Sequence, residues 1–288
     1  MSEPVSAEAM FGAAPRARFG GHARLALGAA ITLTFVGVAL LSLAWTPENP
    51  FRLRILQKLQ PPLTNGWLGT DHLGRDVLSM LMAGAFNSLS IAMLSVIVGM
   101  TIGTALGVAA AARRGWFESV VMRICDAMFA FPPILSAIMV GALLGPGALT
   151  AILAIGAFMV PVFARVTRGA ALQIWAREYV LAARMAGRSG LSITVVHVIP
   201  NIASHIIIQI AIQLALAILT EAGLSFLGLG VPPPTASWGR MLADSQTYLQ
   251  LAPWLALAPG VAIATAVLGL NLLGDGLRDL IDPRRRMS

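Results

Sequence analysis

Charge is scarce in this sequence. Asp, Glu, Lys and Arg together make up 11% of its 288 residues, against about 25% in ordinary soluble domains. Cysteine is scarcer still. Cys125 stands alone, which excludes an intrachain disulfide and a CxxC metal pair. No GxxxxGK[ST] loop is present, so the chain does not bind ATP by that route. HExxH, GxSxG and paired catalytic carboxylates are also missing. The four histidines, His22, His72, His197 and His205, lack metal-ligand spacing. An intramembrane enzyme would need ionisable groups deep in its helices, and the candidates Asp126, Glu221 and Asp275 all lie near the ends of apolar runs. The chain is read as a non-enzyme with no cofactor and no metal.

What it has in abundance is apolar length. Mean hydropathy is +0.79. Five runs free of Asp, Glu, Lys and Arg, at 25–47, 77–112, 127–164, 189–220 and 245–274, reach the length of a bilayer span, which needs about 20 residues. The run 127–164 would extend roughly 57 Å as one helix, well beyond a core of about 30 Å. It divides at Gly145–Pro146–Gly147, a strong turn signal. The sequence therefore predicts an all-α membrane protein of six helices, near 25–45, 88–112, 127–144, 148–165, 202–222 and 252–273. The stretch "VLSMLMAGAFNS", rich in small and polar residues, is predicted as an interfacial helix leading into the second span.

Residues 1–24 are predicted as a flexible tail, and the first apolar run is too long for a cleaved signal core and is retained as a signal-anchor. With six spans, fifteen of the twenty Lys and Arg residues fall on one side and five on the other. The rich side is cytoplasmic by the positive-inside rule, which puts both termini inside. No basic run is interleaved with aromatics, so the high pI does not point to nucleic acid.

One charged stretch interrupts the apolar pattern: "EYVLAARMAGRSGLSITVVHVIPN", Glu178–Asn201. Residues 176–186 are good helix formers, and Gly187 follows as a C-cap. On that helix Tyr179, Ala183 and Ala186 share a small face with Ala182 beside them, and Arg177, Leu181, Arg184 and Arg188 share a basic flank. Small residues allow another backbone to approach closely. A solvated surface helix and a docking helix for a cytoplasmic partner both satisfy this pattern.

The stretch resembles the EAA loop of ABC-importer permeases, whose pattern is Glu-Ala-Ala, three residues, Gly, nine residues, Ile-x-Leu-Pro. Ala182, Ala183 and Gly187 match, and Ile199 and Pro200 fill the closing Leu-Pro. Leu181 stands where the family has Glu, and His197 where it has Ile. "HVIPN" is similar to the form in the dipeptide and oligopeptide branch, of which Glu178 is also typical. "LGTDHLGRDVLS" (68–79), with Met80 where Arg is usual, "VVMRICDAMFAFPPIL" (120–135), "EAGLSFLGLGVPPPTASWGRML" (221–242) and "GDGLRDLIDPR" (274–284) resemble the same branch in order. The likeness covers 25–284 and is to the C-type permease subunit.

The resemblance implies a type I ABC importer permease fold in a bacterial inner membrane. It implies a tail at 1–24, a first span plus periplasmic segment at 25–83, a permease core at 84–275 with the coupling loop at 170–201, and a C-terminal tail at 276–288. It also implies partners: a B-type permease subunit, two cytoplasmic ATPase subunits and an extracytoplasmic substrate-binding protein. The ATPase-coupling residues are expected among Glu178, Tyr179, Ala182, Ala183, Gly187, Ser189, His197, Pro200 and Asn201. Outer-face and gate candidates are Gly74, Arg75, Asp76, Glu221, Ser225, Trp238 and Gly239. Gly99, Gly103 and Gly107, four apart, suggest a close helix contact, and Pro132–Pro133 should kink or start the third helix. Cargo in such relatives includes dipeptides, oligopeptides, nickel complexes, glutathione and opine-like compounds. An ion-coupled secondary transporter is disfavoured, because neither two similar halves nor broken helices bearing charges are seen. A non-transporting membrane scaffold is the other alternative.

Overall fold

The computed structural model describes residues 21–281, and most of these are helical. The helices are α1 (Gly21–Ala44), α2 (Val77–Arg113), α3 (Gly115–Ala130), α4 (Pro133–Leu144), α5 (Ala148–Trp175), α6 (Glu178–Met185), α7 (Gly190–Ile193), α8 (Ile199–Phe226), α9 (Trp238–Ser245) and α10 (Trp254–Ile281). A π turn, Thr194–Val198, joins α7 to α8. Among the described residues five helical segments are long and apolar enough to cross a membrane, and the bent pair α3–α4 makes a sixth if it is one crossing.

Several boundaries differ from the sequence reading, α3 (read as loop up to 126) and the far end of α10 among them, and four differences have a plain physical reason. First, the second span has no separate interfacial helix: α2 is continuous for 37 residues. Asp76 caps it, accepting from Ser79 N at 2.7 Å. The small and polar residues in its first half are contact positions. Asn87 donates to Ala236 O at 2.7 Å, Ser88 accepts from Trp238 N at 3.2 Å, and Gly84 lies against the Trp238 ring.

Second, the third span is broken. α3 and α4 meet at 89°. Residues before proline are pushed out of the helical region, and here two prolines follow one another. Phe131 (φ −94°, ψ 132°) and Pro132 (φ −59°, ψ 134°) are therefore both extended.

Third, α5 runs ten residues past its expected end at 165. Its arginines continue the helix because they have partners on α3: Arg165 pairs with Asp126 and Arg168 with Glu118. Fourth, the fifth span begins at α7 rather than at residue 202, and the helical path from Gly190 to Phe226 is unbroken. The tail residues 1–20 and 282–288 lie outside the described residues.

The centre of the fold is the crossing of α2 and α5. A Cβ on Gly99 would collide with Met159, one on Gly103 with the Val160 carbonyl, and one on Gly107 with Thr167 and the Ala164 carbonyl. The three glycines are thus the line along which the two backbones approach, as small residues permit in lipid. Around them a buried core gathers Ile91, Val96, Ile155, Met159, Phe163, Ile218 and Trp238. A second close approach, between α1 and α10, uses Gly28, Gly269 and Gly276, which the sequence reading did not single out.

Candidate functional site

The segment 176–201 leaves the bundle and returns to it. Glu178 and the extended Arg177 open α6. At its other end, Gly187 has φ +78°. Arg188 N donates to Ala183 O at 3.2 Å and Gly187 N to Arg184 O at 3.0 Å, the paired 6→1 and 5→2 bonds of a Schellman stop. Nothing lies within 4 Å of where a Cβ would sit on Gly187. Glycine is needed there for its backbone conformation, not for space.

One side chain anchors α6. Val180 is fully buried, in a small core with Val108, Ala111, Ala170, Ala171, Ile193, Val198 and Ile202. Burying it supplies about 1.5–3 kcal/mol. Ala183, one turn on, is half-buried against the same core. This changes the sequence reading, which put Ala183 on the outward small face. The outward face is instead Leu181, Ala182, Met185 and Ala186. Met185 is 90% exposed and Leu181 49%. Among the described residues this apolar face, on a helix closed at Gly187 and anchored by Val180, is left open to its surroundings.

The return path is also specific. Ser189 caps α7, accepting from Ser192 N at 3.3 Å. His197, in the π turn, meets the Tyr179 ring edge-on with centroids 6.0 Å apart. Its carbonyl accepts from Asn201 Nδ2 at 2.6 Å. Pro200 has no N–H for the carbonyl four residues back, and Ile199 N reaches five residues back to Thr194 O. The sequence showed the proline but not the π turn, a form often found at functional places in helices.

The opposite end of the bundle carries the other candidates, and it packs them inward. Arg75 is 7% exposed and Asp76 3%. Arg75 Nη2 pairs with Asp71 Oδ2 at 2.7 Å, and Asp71 also accepts from Arg75 N at 2.8 Å and Leu73 N at 2.9 Å. Gly74, φ +75°, presses on the backbone of Arg54. "GRD" therefore knots its own segment. Its buried members, named from the sequence as outer-face or gate candidates, offer little surface outward.

Glu221 is fully buried in α8. Its carboxylate accepts from Ser225 Oγ at 2.6 Å, with the Ser88 and Ser237 hydroxyls also against it. Trp238 is fully buried, with Nε1 donating to Leu81 O at 3.1 Å. A Cβ on Gly239 would strike Ala222 and Ser225. Glu221, Ser225, Trp238 and Gly239 are thus one buried knot holding α9 onto α2 and α8. Among the described residues no group of His, Cys, Asp and Glu is arranged to hold a metal.

Membrane-length helices around a glycine-lined crossing, with a short helix held out between α5 and α8, make a helical membrane bundle of the type I importer fold. A solved structure of the MetNI methionine ABC transporter in an inward-facing conformation matches with TM-score 0.57 at 19% identity, covering 70% of this chain and 97% of that one. The chain belongs to the binding-protein-dependent transport system inner membrane component family, whose model matches residues 99–287. Glutathione transport system permease protein GsiD of Pectobacterium atrosepticum is 43% identical over 77% of this chain and 74% of its own length. Dipeptide transport system permease protein DppC of Alkalihalophilus pseudofirmus is 37% identical over 90% of this chain and 86% of its own. The protein is an inner-membrane permease that works with other ABC-transporter subunits.

Proposed function

We propose that this chain forms half of the path of an ATP-driven importer for dipeptides or oligopeptides, glutathione included, and that α6 is the helix its ATPase subunits grip. The outward Leu181–Met185 face of α6, anchored by Val180 and closed at Gly187, carries this reading. The chain has no phosphate loop of its own, so the energy enters from another subunit. Closure of two ATPase subunits on ATP moves α6. The Tyr179–His197 contact passes that movement to the π turn, and α8 carries it to the far end, where Glu221 ties α8 to α9. The basic-loop count puts α6 and both termini in the cytoplasm. A B-type permease subunit supplies the other half of the path, and a substrate-binding protein delivers the solute outside. The names of the relatives support the peptide cargo.

The test is uptake of a labelled dipeptide and of labelled glutathione by cells with and without this chain. Loss of ATP-dependent uptake of either, restored by the intact gene, is the expected result. Unchanged uptake of both would remove the peptide assignment. Transport by this chain alone in liposomes, driven by an ion gradient, would remove the ATP-driven one.

A further inference from the structure

We infer that a groove between the end of α2 and the α7–α8 junction, with the basic basin beside it, holds an anionic phospholipid. The groove, about 890 Å³, is walled on one side by Thr104, Ala105 and Val108 and on the other by Leu191, Val195 and Ile199. It is apolar, and it lies on two membrane-length helices. At its end it meets a basin of about 1110 Å³ lined by Arg113, Arg114, Arg184 and Arg188. Arg113 lines both.

The charge balance selects the occupant. No carboxylate lines the groove or the basin. Among the described residues none of the four guanidinium groups makes an ion pair, while their neighbours Arg165 and Arg168 each have a carboxylate partner on α3. A phosphate head among the arginines and an acyl chain along α2 satisfy the basin and the groove together. Basic pockets between helices at the membrane surface bind anionic lipid heads in this manner. A soluble acidic protein would satisfy the arginines and leave the groove empty. The inference needs only the membrane location, not the proposed cargo or the ATPase reading.

The full chain, placed in nanodiscs with equal amounts of phosphatidylglycerol and phosphatidylcholine, is released and weighed by native mass spectrometry. Phosphatidylglycerol should be retained in preference. Arg113→Gln and Arg114→Gln should each weaken that preference about fivefold. Ala105→Trp, from an exposed position on the groove wall, should expel both lipids, and excess inorganic phosphate should displace neither. Arg188→Gln, at an exposed position, tests the basin alone if the Arg113 and Arg114 variants insert poorly. Equal retention of the two lipids, or an unchanged preference in the arginine variants, overturns the inference. So does displacement by phosphate, which would mark a free-anion site. Loss of ATPase co-purification in an Arg188 variant with lipid retention unchanged would make the basin a protein surface.

Discussion

The Tyr179 ring, on α6, meets the His197 ring edge-on, 6.0 Å between centroids and 65° between planes. This is the one aromatic contact across the segment that leaves and rejoins the bundle at this end. An edge-to-face pair is worth about 0.5–1.5 kcal/mol beyond its buried area. Tyr179→Ala should leave α6 folded, since Val180 anchors it, but weaken the link to the π turn. The expected outcome is retained ATPase co-purification with reduced substrate-stimulated ATP hydrolysis in proteoliposomes. Full stimulation in that variant would show that movement passes by another route.

The stop at Gly187 gives a graded series. Nothing crowds the site, so the cost of a side chain is that of its left-handed backbone, about 1–2 kcal/mol for an ordinary residue and less for Asn. Gly187→Asn should recruit ATPase nearly as well as the parent, Gly187→Ala less, and Gly187→Val least. Ala183→Asp should be worse than any of these, because it sets a charge against the core that seats α6. Arg188→Ala should barely change recruitment, since an exposed ion pair is worth about 0–1 kcal/mol. Co-purification of the ATPases with each variant reads the order.

At the helix crossing, Gly103→Ala should lower the thermal unfolding midpoint in detergent. Its Cβ meets the Val160 carbonyl, and overpacking of this kind costs about 1–3 kcal/mol. Gly223→Ala is the matched control. It is also helical, has open space around its Cβ, and should hold or raise the midpoint because Ala is the better helix former.

The outer knot makes a different demand. Glu221→Ala strips Ser225 of its acceptor inside a buried cluster, a loss of about 1–3 kcal/mol. α9 should loosen, seen as faster proteolysis in 227–245. Glu221→Gln keeps an acceptor and should protect that segment nearly as well. Equal proteolysis of parent and Ala variant would mean that Trp238 alone holds α9.

How much of this was readable beforehand follows from what each signal measures. Charge-free length located the apolar spans, and the composition of 176–186 located α6 and its stop at Gly187. The same signal put the end of α5 too early, because Arg165 and Arg168 mark the edge of the apolar slab and not the end of a helix. The Gly99–Gly103–Gly107 spacing announced a close contact without naming α5 as its partner. Pro132–Pro133 announced a break but not its 89° angle. Ser88 and Asn87 look like interfacial residues in one dimension. Their partners, Trp238 and Ala236, are about 150 positions away, so no local pattern could reveal them. The burial of Arg75 and Asp76 was hidden in the same way: a charged pair reads as surface until its buried partners are seen.

Orientation is open to direct chemistry. With the buried Cys125 replaced by Ser, a thiol at Thr235 should react with an impermeant reagent added outside intact cells, and one at the exposed Ser189 only after permeabilisation. The reverse pattern would invert the membrane orientation.

The most direct measurement of the central claim is site-specific crosslinking from Met185. Its side chain is 90% exposed on α6, so a cysteine there should disturb little. In membranes holding the whole transporter, Met185→Cys should crosslink to an ATPase subunit, with a yield that changes when ATP is trapped. A cysteine at Trp67, exposed on the segment before α2, should not. Absence of any crosslink from Met185 and Leu181 in a transporter that still hydrolyses ATP on adding substrate would contradict the assignment of α6.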